Sequence, residues 1–462
     1  MPTSSPPPSR TSARNKPWAR GAVEQAPLPP GLPARLAAAG LLSDVVIGGH
    51  SLDEFFGTEA VHPRLTSLDV RDRALVRSIV TVSLRRLGTI RRALARFLER
   101  GMPKKSGSLE WVLVTTAAQI LFLDVPDHAA VNLCVQAVRQ DPQSLPYASL
   151  ANAVARNLAR ARDEVIETEP LIDAPGWLAT RWKQSYGDSN AGEIARANRT
   201  EPRLDITPKS DPELWASKLD GDLLPFGSIR LRNQTPVPEL AGYHDGEWWV
   251  QDVGASLPAR LLHVSPGERV ADLCAAPGGK TAQLVAAGGH VVAVDRSAER
   301  LKRLAANLER LNLQAETKVA DVATYDAEPF DAALLDAPCS ATGTMRRNPD
   351  VGWTKRISDL TTLAALQAKM LDRTISLLRP GGRLVYCVCS IEPEEGEAQI
   401  AALLRRNPDV RRDPITADEI AGRGDWLTDK GELRTLPFYA PSEDPALGGM
   451  DGFFAARLTR VA

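Results

Sequence analysis

Two short segments of the chain place cysteine directly after an apolar run, Asp336-Ala-Pro-Cys-Ser340 and Tyr386-Cys-Val-Cys-Ser390. Cysteine is scarce elsewhere, because the chain has five cysteines among 462 residues and three of them lie in these segments. A deprotonated cysteine is a strong nucleophile. The crowding of thiols therefore predicts thiol chemistry rather than packing, provided that the fold places a cofactor site beside them.

A thiolate is the type of group that activates a pyrimidine ring. C5 of a pyrimidine is a poor nucleophile, but a thiolate that adds to C6 converts the ring to an enamine-like species whose C5 can attack a sulfonium methyl group. The reaction also needs an acidic group near N3 and a base that removes the C5 proton. Asp336 lies three residues before Cys339 and is the candidate for the acidic group.

Both thiol segments fall at the ends of predicted strands in the C-terminal part of the chain. After Leu257, strand-like apolar runs alternate with amphipathic helical patterns, which is typical of a Rossmann-like α/β sheet. Ligands of such sheets bind beyond the carboxyl ends of the strands. The predicted strands are Arg269–Cys274, His290–Asp295, Thr317–Asp321, Phe330–Asp336 and Arg383–Cys389.

Carboxylates stand at the ends of three successive predicted strands, in Asp272, Asp295 and Asp321. Any one of them could instead cap a helix, but together they predict adenosyl binding, with Asp295 accepting the ribose hydroxyls and Asp321 an adenine amino proton. A diphosphate-cradling glycine pattern is absent, which favours S-adenosyl-L-methionine over NAD. Arg300 and Asp336 are also predicted to reach the cofactor. The glycine turn predicted to hold it comprises Cys274, Ala275, Ala276, Pro277, Gly278, Gly279 and Lys280.

The rest of the chain divides into regions that differ in composition and in the spacing of apolar residues. Residues 1–33 are rich in proline and predict a disordered tail. Residues 34–165 show apolar residues at helical spacing, which predicts an all-α bundle with 109–123 as its central helix. Residues 166–256 predict a linker and a small α+β module, and residues 257–462 the α/β domain.

Composition narrows the class of protein. The formal net charge is -1, which neither supports nor excludes an RNA partner. No apolar run is long enough to span a bilayer and the N-terminus lacks a secretory apolar core, so we expect a cytoplasmic protein with reduced thiols. The histidines and cysteines lack zinc-ligand spacing, so no metal is predicted. We expect a monomer.

Motifs across the chain resemble those of the RNA 5-methylcytosine methyltransferases. In the α/β region the matching segments are Asp336–Thr344, Arg346–Val351, Cys274–Lys280, Pro380–Tyr386 and Cys389-Ser390. The helical region resembles the NusB-like domain fused to one branch of this family, the RsmB or Sun type, through Arg71–Ala74, Gln119–Asp124 and Asp127–Asn132. That branch methylates cytosine in small-subunit ribosomal RNA.

The resemblance implies distinct roles for two thiols. The cysteine matched by Cys389 is the family's nucleophile, the one matched by Cys339 helps to release the product, and Asp336 assists at N3. Val388 stands where the family usually has threonine, and Cys387 shares a predicted strand face with Cys389. Cys387 could compete with Cys389 or form a disulfide with it. We favour Cys389 because it lies furthest along the strand.

The implied reaction is S-adenosylmethionine-dependent methylation of cytosine C5 in RNA, most simply 16S ribosomal RNA. Two alternatives stay open here: the same reaction on transfer RNA, and a non-catalytic RNA-binding or ribosome-assembly factor. Residues 34–165 and 166–256 are expected to bind RNA, and Arg346, Arg347 and Lys355 are predicted to contact its phosphates. A further basic face, compatible equally with solvent exposure or RNA contact, is formed by Arg156, Arg160 and Arg162.

Overall fold

The structure is a computed structural model that describes residues 28–57 and 61–461. Most of the predicted tail, residues 1–33, lies outside the described residues, and its last residues belong to the first helix, which begins at Leu32. Within the described ranges, no helix is both long and apolar enough to cross a membrane.

The N-terminal part is helical, as the residue spacing predicts. Its helices are α1 (Leu32–Val46), α2 (Leu52–Phe56), α3 (Val70–Arg85), α4 (Leu87–Ala95), α5 (Leu109–Phe122), α6 (Asp127–Arg139), α7 (Ala148–Arg160) and α8 (Arg162–Val165). Helix α5 is buried almost all round because α1, α3, α4, α6 and α7 pack against it. The prediction of a central helix at this position is confirmed.

A long helix, α9 (Gly176–Asn198), follows the bundle. The sequence predicts two separate helices here, one on each side of residue 187. The structure has two helical halves that meet at Gly187, whose φ of 79° lies in the left-handed region that glycine adopts readily. The predicted break between the two helices is therefore present.

A small antiparallel sheet joins the helical part to the C-terminal part. Its elements are β1 (Asp205–Pro208), α10 (Pro212–Lys218), β2 (Gly221–Leu223), β3 (Ile229–Leu231) and β4 (Trp248–Val250), and the strand order is β2-β3-β1-β4. Arg230 on β3 and Asp205 on β1 form a buried bidentate ion pair, with N–O distances of 2.7 and 2.8 Å.

The C-terminal part is a twisted sheet with helices on both faces, in the strand order β10-β12-β9-β8-β5-β6-β7. Its elements are α11 (Val253–Leu261), β5 (Arg269–Leu273), α12 (Gly279–Ala286), β6 (His290–Asp295), α13 (Ala298–Arg310), β7 (Glu316–Val319), β8 (Phe330–Asp336), α14 (Val351–Thr354), α15 (Ile357–Ser376), β9 (Leu378–Val388), α16 (Glu397–Arg406), β10 (Val410–Arg412), β11 (Leu433–Arg434) and β12 (Phe454–Arg460). Strands β9, β8, β5, β6 and β7 run parallel, whereas β12 is antiparallel to β9. The predicted fold class is confirmed.

The helical part docks on the segment that follows Cys339. The Leu52 amide donates to Asp350 Oδ2 at 3.1 Å, and Trp353 Nε1 donates to the Leu84 carbonyl at 3.2 Å. These contacts join α2 and α3 to α14. The bundle is thus tied to the strand-end loops rather than to the opposite end of the sheet.

The buried Arg230–Asp205 pair generates a stability prediction. Asp205→Ala leaves a buried guanidinium without its carboxylate, and we expect the free energy of unfolding to fall by about 3–5 kcal/mol. Urea unfolding followed by tryptophan fluorescence measures the change. The control is Asp222→Ala, which removes an exposed partner of Arg232 and should leave the unfolding midpoint almost unchanged. Equal midpoints for the two variants would contradict the assigned role of the pair.

Candidate active site

The two thiols singled out by the sequence lie side by side. Cys339 follows β8 and Cys389 follows β9, and these parallel strands are neighbours, so both cysteines emerge at the carboxyl edge of the sheet. Their sulfur atoms are 3.5 Å apart, and both are free thiols. The hydrogen bond with Cys389 first, and burial second, raise the pKa of Cys339 well above its usual value. Cys339 is therefore a protonated thiol at neutral pH.

A buried hydroxyl and carboxylate network fixes the two cysteine loops to each other. Ser340 Oγ and Ser390 Oγ, one residue after each thiol, are 3.1 Å apart. Glu395 Oε1 accepts from the Ser340 amide at 2.9 Å, and Glu395 Oε2 accepts from Ser340 Oγ at 2.5 Å. Gln367 Nε2 adds a third donor to Glu395 at 3.0 Å. A fully satisfied buried carboxylate of this kind holds its partners rigidly.

Sequence reasoning missed Glu395 and Gln367. Glu395 lies in the acidic run Glu392-Pro-Glu-Glu395, which has the composition of a solvated loop, and Gln367 lies on α15 with no chemical motif around it. The one sequence feature that could have indicated a role at the site is the proximity of Glu395 to Cys389 along the chain. Distance along the chain gives no direction for the side chain, so the burial of Glu395 was not predictable.

The extra thiol, Cys387, lies inside the sheet. Its side chain is fully buried, and its Sγ contacts Asp336 Oδ1 at 3.5 Å. Burial, followed by the charge of Asp336, raises the pKa of Cys387 well above its usual value. The thiol neighbour of Cys389 in the structure is Cys339 rather than Cys387. The interpretation of Cys387 as a small buried side chain agrees with this burial.

Asp336 is the last residue of β8, at the carboxyl edge of the sheet. Lys280 Nζ donates to Asp336 Oδ2 at 2.8 Å. Burial alone would lower the pKa of Lys280, but the charge and hydrogen bond of Asp336, together with the nearby Cys387 and Cys389, raise it. Lys280 therefore remains an ammonium ion. Its contact with Asp336 gives it a second position-specific partner, in addition to its place in the glycine turn.

A cavity of about 230 Å³ opens directly beside the thiols. It brings together the predicted thiol and cofactor residues, since its walls include Cys274, Ala276, Asp295, Arg300, Asp321, Asp336, Cys339 and Cys389. A partly enclosed space lined by both carboxylates and thiols suits a nucleoside whose reactive group faces the thiols. The donor and acceptor set therefore fits S-adenosylmethionine.

Two carboxylates of the cavity wall are positioned by backbone amides. Asp295 accepts from the Ser297 amide at 2.9 Å and from the Ala276 amide at 3.3 Å, which holds its carboxylate still. Asp321 lies two residues beyond β7 and accepts from the Ala323 amide at 2.9 Å. Each aspartate thus stabilises its own turn while it lines the cavity.

Other predicted cofactor residues support the turn without lining this cavity. Gly278 has a φ of 105°, and a Cβ there would approach Leu304 Cγ to 2.9 Å, so glycine allows α12 and α13 to pack closely. Ala275, Pro277 and Gly279 likewise belong to the turn. Asp272 is fully buried and accepts from Thr281 Oγ1 at 2.6 Å; burial raises its pKa to about 7. The interpretation of Asp272 as a ligand-facing strand end is corrected accordingly.

The prediction that Arg346 and Arg347 contact RNA phosphates conflicts with the structure. Arg346 is 1% exposed and donates to the Gly448 carbonyl. Arg347 pairs with Asp252 at 2.5 Å and lies 3.5 Å from Asp451. Carboxylates of the protein pair the charge of Arg347, and burial encloses Arg346, so neither guanidinium is free to meet a phosphate. Lys355, which follows α14 and is half-buried, stays a prediction.

Two family models match the chain. Residues 259–459 match 16S rRNA methyltransferase RsmB/F, and residues 32–160 match the NusB family. A Xylella fastidiosa protein named Ribosomal RNA small subunit methyltransferase B is 36% identical over 448 residues, covering 93% of this chain and 98% of the relative. A Cronobacter sakazakii protein of the same name is 33% identical, covering 92% and 98%.

Solved structures share the fold. One described as the crystal structure of PH0851 has a TM-score of 0.67 and 21% identity, covering 94% of this chain and 99% of that chain. A methyltransferase homolog protein from Pyrococcus horikoshii has a TM-score of 0.51 and 25% identity, covering 62% of this chain and 95% of that chain.

Among the described residues, no group of histidine, cysteine and acidic side chains has the arrangement of a metal site.

The burial of individual thiols predicts their order of alkylation. Burial raises the pKa of Cys134 to about 11, so at pH 8 only about one molecule in a thousand carries this thiolate. Cys387 is also fully buried. We expect iodoacetamide at pH 8 to label Cys389 well before Cys134 or Cys387, as measured by peptide mass spectrometry. Labelling in urea is the control, and equal native rates for Cys387 and Cys389 would contradict the arrangement.

Proposed function

Because the chain belongs to the RsmB/F family of 16S ribosomal RNA methyltransferases, we propose that it transfers a methyl group to C5 of a cytosine in small-subunit ribosomal RNA. The main support is the 3.5 Å separation of Cys339 Sγ and Cys389 Sγ in the wall of the cavity. A reaction with one thiol for attack and another for release requires both to reach the same ring. A pair this close meets that requirement.

S-adenosylmethionine, for which the cavity residues Asp295 and Asp321 are suited, supplies the methyl group. Cys389 attacks as the thiolate and forms the bond to C6 of the cytosine. The sulfur of Cys339 lies 3.5 Å from that of Cys389, close enough for the Cys339 thiol to donate a hydrogen bond to the attacking sulfur. The attack moves electron density to N3, where the Asp336 carboxyl group donates a proton, and the Lys280 ammonium offsets the charge that this leaves on the carboxylate.

Release of the product reverses the roles of the two thiols. Once Cys389 is bonded to C6, its charge is gone, so Cys339 can pass its own proton to solvent in the cavity more readily. The Cys339 thiolate then accepts the C5 proton, the C–H electron pair restores the C5–C6 double bond, and the Cys389 thiolate leaves. A thiolate whose pKa is raised is the stronger base, which suits Cys339 for this step.

We further propose that one chain is the functional unit and that it works in the cytoplasm, where its ribosomal RNA substrate is made. In support of the first point, the thiols and the cofactor-lining residues all come from a single chain. The names of the relatives favour ribosomal over transfer RNA as the substrate.

Separate substitutions of the two thiols test their roles. Cys389→Ala should abolish methylation because no group is left to attack C6. Cys339→Ala should accumulate protein covalently joined to RNA, because attack proceeds and release fails. Bisulfite sequencing of ribosomal and transfer RNA and denaturing gels measure the two results. Cys134→Ala, in the core of α6, is the control and should keep full activity.

Three results would contradict these proposals. A Cys389→Ala protein that still methylates would move the attack to another residue. An unchanged cytosine map with the native protein would overturn the enzymatic proposal, and a change confined to transfer RNA would overturn the choice of substrate.

Glu395 provides a second test because it positions the thiols without touching the substrate. In Glu395→Gln, an amide replaces one carboxylate oxygen, so a Ser340 donor or the Gln367 amide loses its acceptor. An unsatisfied buried group costs about 1–3 kcal/mol, and we expect kcat to fall by about tenfold with little change in KM for RNA.

Glu394→Gln is the matched control for Glu395→Gln. Glu394 is exposed and pairs with Arg181, so its substitution should leave kcat unchanged. Thermal melting checks that both variants fold. A folded Glu395→Gln protein with native kcat would contradict the positioning role.

A further inference from the structure

A groove with a basic rim runs between α6 and α7 on the helical part. Its volume is about 700 Å³, several times larger than the space expected for one small anion, and it is open to solvent. Residues at helical spacing on each helix line it: Asp127, His128, Val131, Asn132, Val135 and Arg139 from α6, and Ala148, Ser149, Asn152, Arg156, Ala159 and Arg160 from α7.

Three arginines give the groove its charge. Arg139, Arg156 and Arg160 are exposed, and within residues 28–57 and 61–461 none of them forms an ion pair or a side-chain hydrogen bond with the protein. The one acidic residue of the lining, Asp127, already pairs with Arg162 at 2.6 Å. The groove therefore keeps a net positive charge, although the whole chain has a net charge of -1.

The three arginines contribute little to the stability of the bundle. Arg139 and Arg160 lie in the last turns of their helices, where a positive charge is slightly favourable. Arg156 and Arg160 lie four residues apart on α7, where like charges destabilise a helix slightly. The arginines of the basic face predicted from the sequence have different surroundings in the structure. Arg162 forms an ion pair with Asp127, whereas Arg156 and Arg160 join Arg139, from the other helix, on the groove.

The shape of the groove suits an extended polyanion. On α6 it extends from His128 to Arg139, which at 1.5 Å per residue is about 16 Å. Because α6 and α7 are neighbours joined by a short connection, they run in opposite directions, and Arg139 lies towards the end of the groove opposite Arg156 and Arg160. Asn132 and Asn152 add polar groups between them. Such a spread of donors matches successive phosphates and sugars.

The groove also lies apart from the elements that reach the thiols. The hydrogen bonds between the helical part and the segment after Cys339 come from Leu52, Leu84 and Arg85, on α2 and α3. The groove residues line a different pair of helices. A ligand in the groove would therefore change affinity for a large substrate and leave the chemical step unaffected.

We propose that the α6–α7 groove binds the phosphate backbone of the ribosomal RNA substrate at a place remote from the target cytosine. This inference rests on the proposed function for the identity of the RNA. Counterion release makes such contacts strongly salt-dependent. Each arginine contributes its charge to affinity without reading sequence.

The test is the triple variant Arg139→Gln, Arg156→Gln, Arg160→Gln in the full-length protein. Filter binding to unmodified 16S ribosomal RNA over a salt series should give a salt slope smaller by about 2–3 and a Kd at least about tenfold weaker at low salt. Single-turnover methylation at saturating RNA should keep the native rate. The matched control replaces three exposed arginines outside the groove by glutamine, namely Arg92, Arg405 and Arg411.

The possible outcomes separate this inference from the proposed function. Native Kd and salt slope in the triple variant would overturn the groove proposal and leave the surface to a protein partner. Equal weakening in the control variant would also overturn it, because the loss would then follow total charge. If the native protein binds RNA through the groove but does not methylate it, the groove inference stands and the proposed function fails.

Discussion

The parallel pairing of β8 with β9 is the constraint on which the candidate site depends. The register sets Asp336 opposite Cys387, so the residues that follow on both strands leave the sheet at one point. Cys339 and Cys389 meet there with their sulfurs 3.5 Å apart. Glu395 then maintains their separation. It lies in the loop after β9 and accepts a hydrogen bond from the Ser340 amide in the loop after β8. Without that register, the two thiols would belong to unrelated loops.

A second constraint holds the small sheet and the C-terminal part together at this edge. Arg347 pairs with Asp252 and lies 3.5 Å from both Asp205 and Asp451, so one guanidinium joins the loop after Cys339 to the small sheet, the start of α11 and the segment before β12. Burial raises the pKa of Asp451 to about 7. A buried charge of this kind stabilises little by itself, but the loss of one partner is costly. The cluster therefore fixes how the parts are arranged around the site.

The site could be anticipated from the sequence to the extent that its residues follow strands. Strands β6 and β8 have the predicted bounds, because apolar runs that end in aspartate are local signals. Asp295, Asp321, Cys339 and Cys389 accordingly line one cavity. The failures have a common cause. Charged residues near a motif were interpreted as ligand contacts, and the structure gives several of them protein partners distant in the chain, as in the pairing of Arg347 with Asp252.

The sequence by itself determined the chemical groups available and the strand ends that carry them, since both depend on residue type and local periodicity. It determined the family resemblance for the same reason. The tertiary structure alone decided which thiol faces which. It buried Cys387 against Asp336 while it brought Cys339 to Cys389. It also enclosed Arg346 and left Arg139, Arg156 and Arg160 on an open groove. Burial and pairing are set by packing between segments remote in the chain, and no local pattern encodes them.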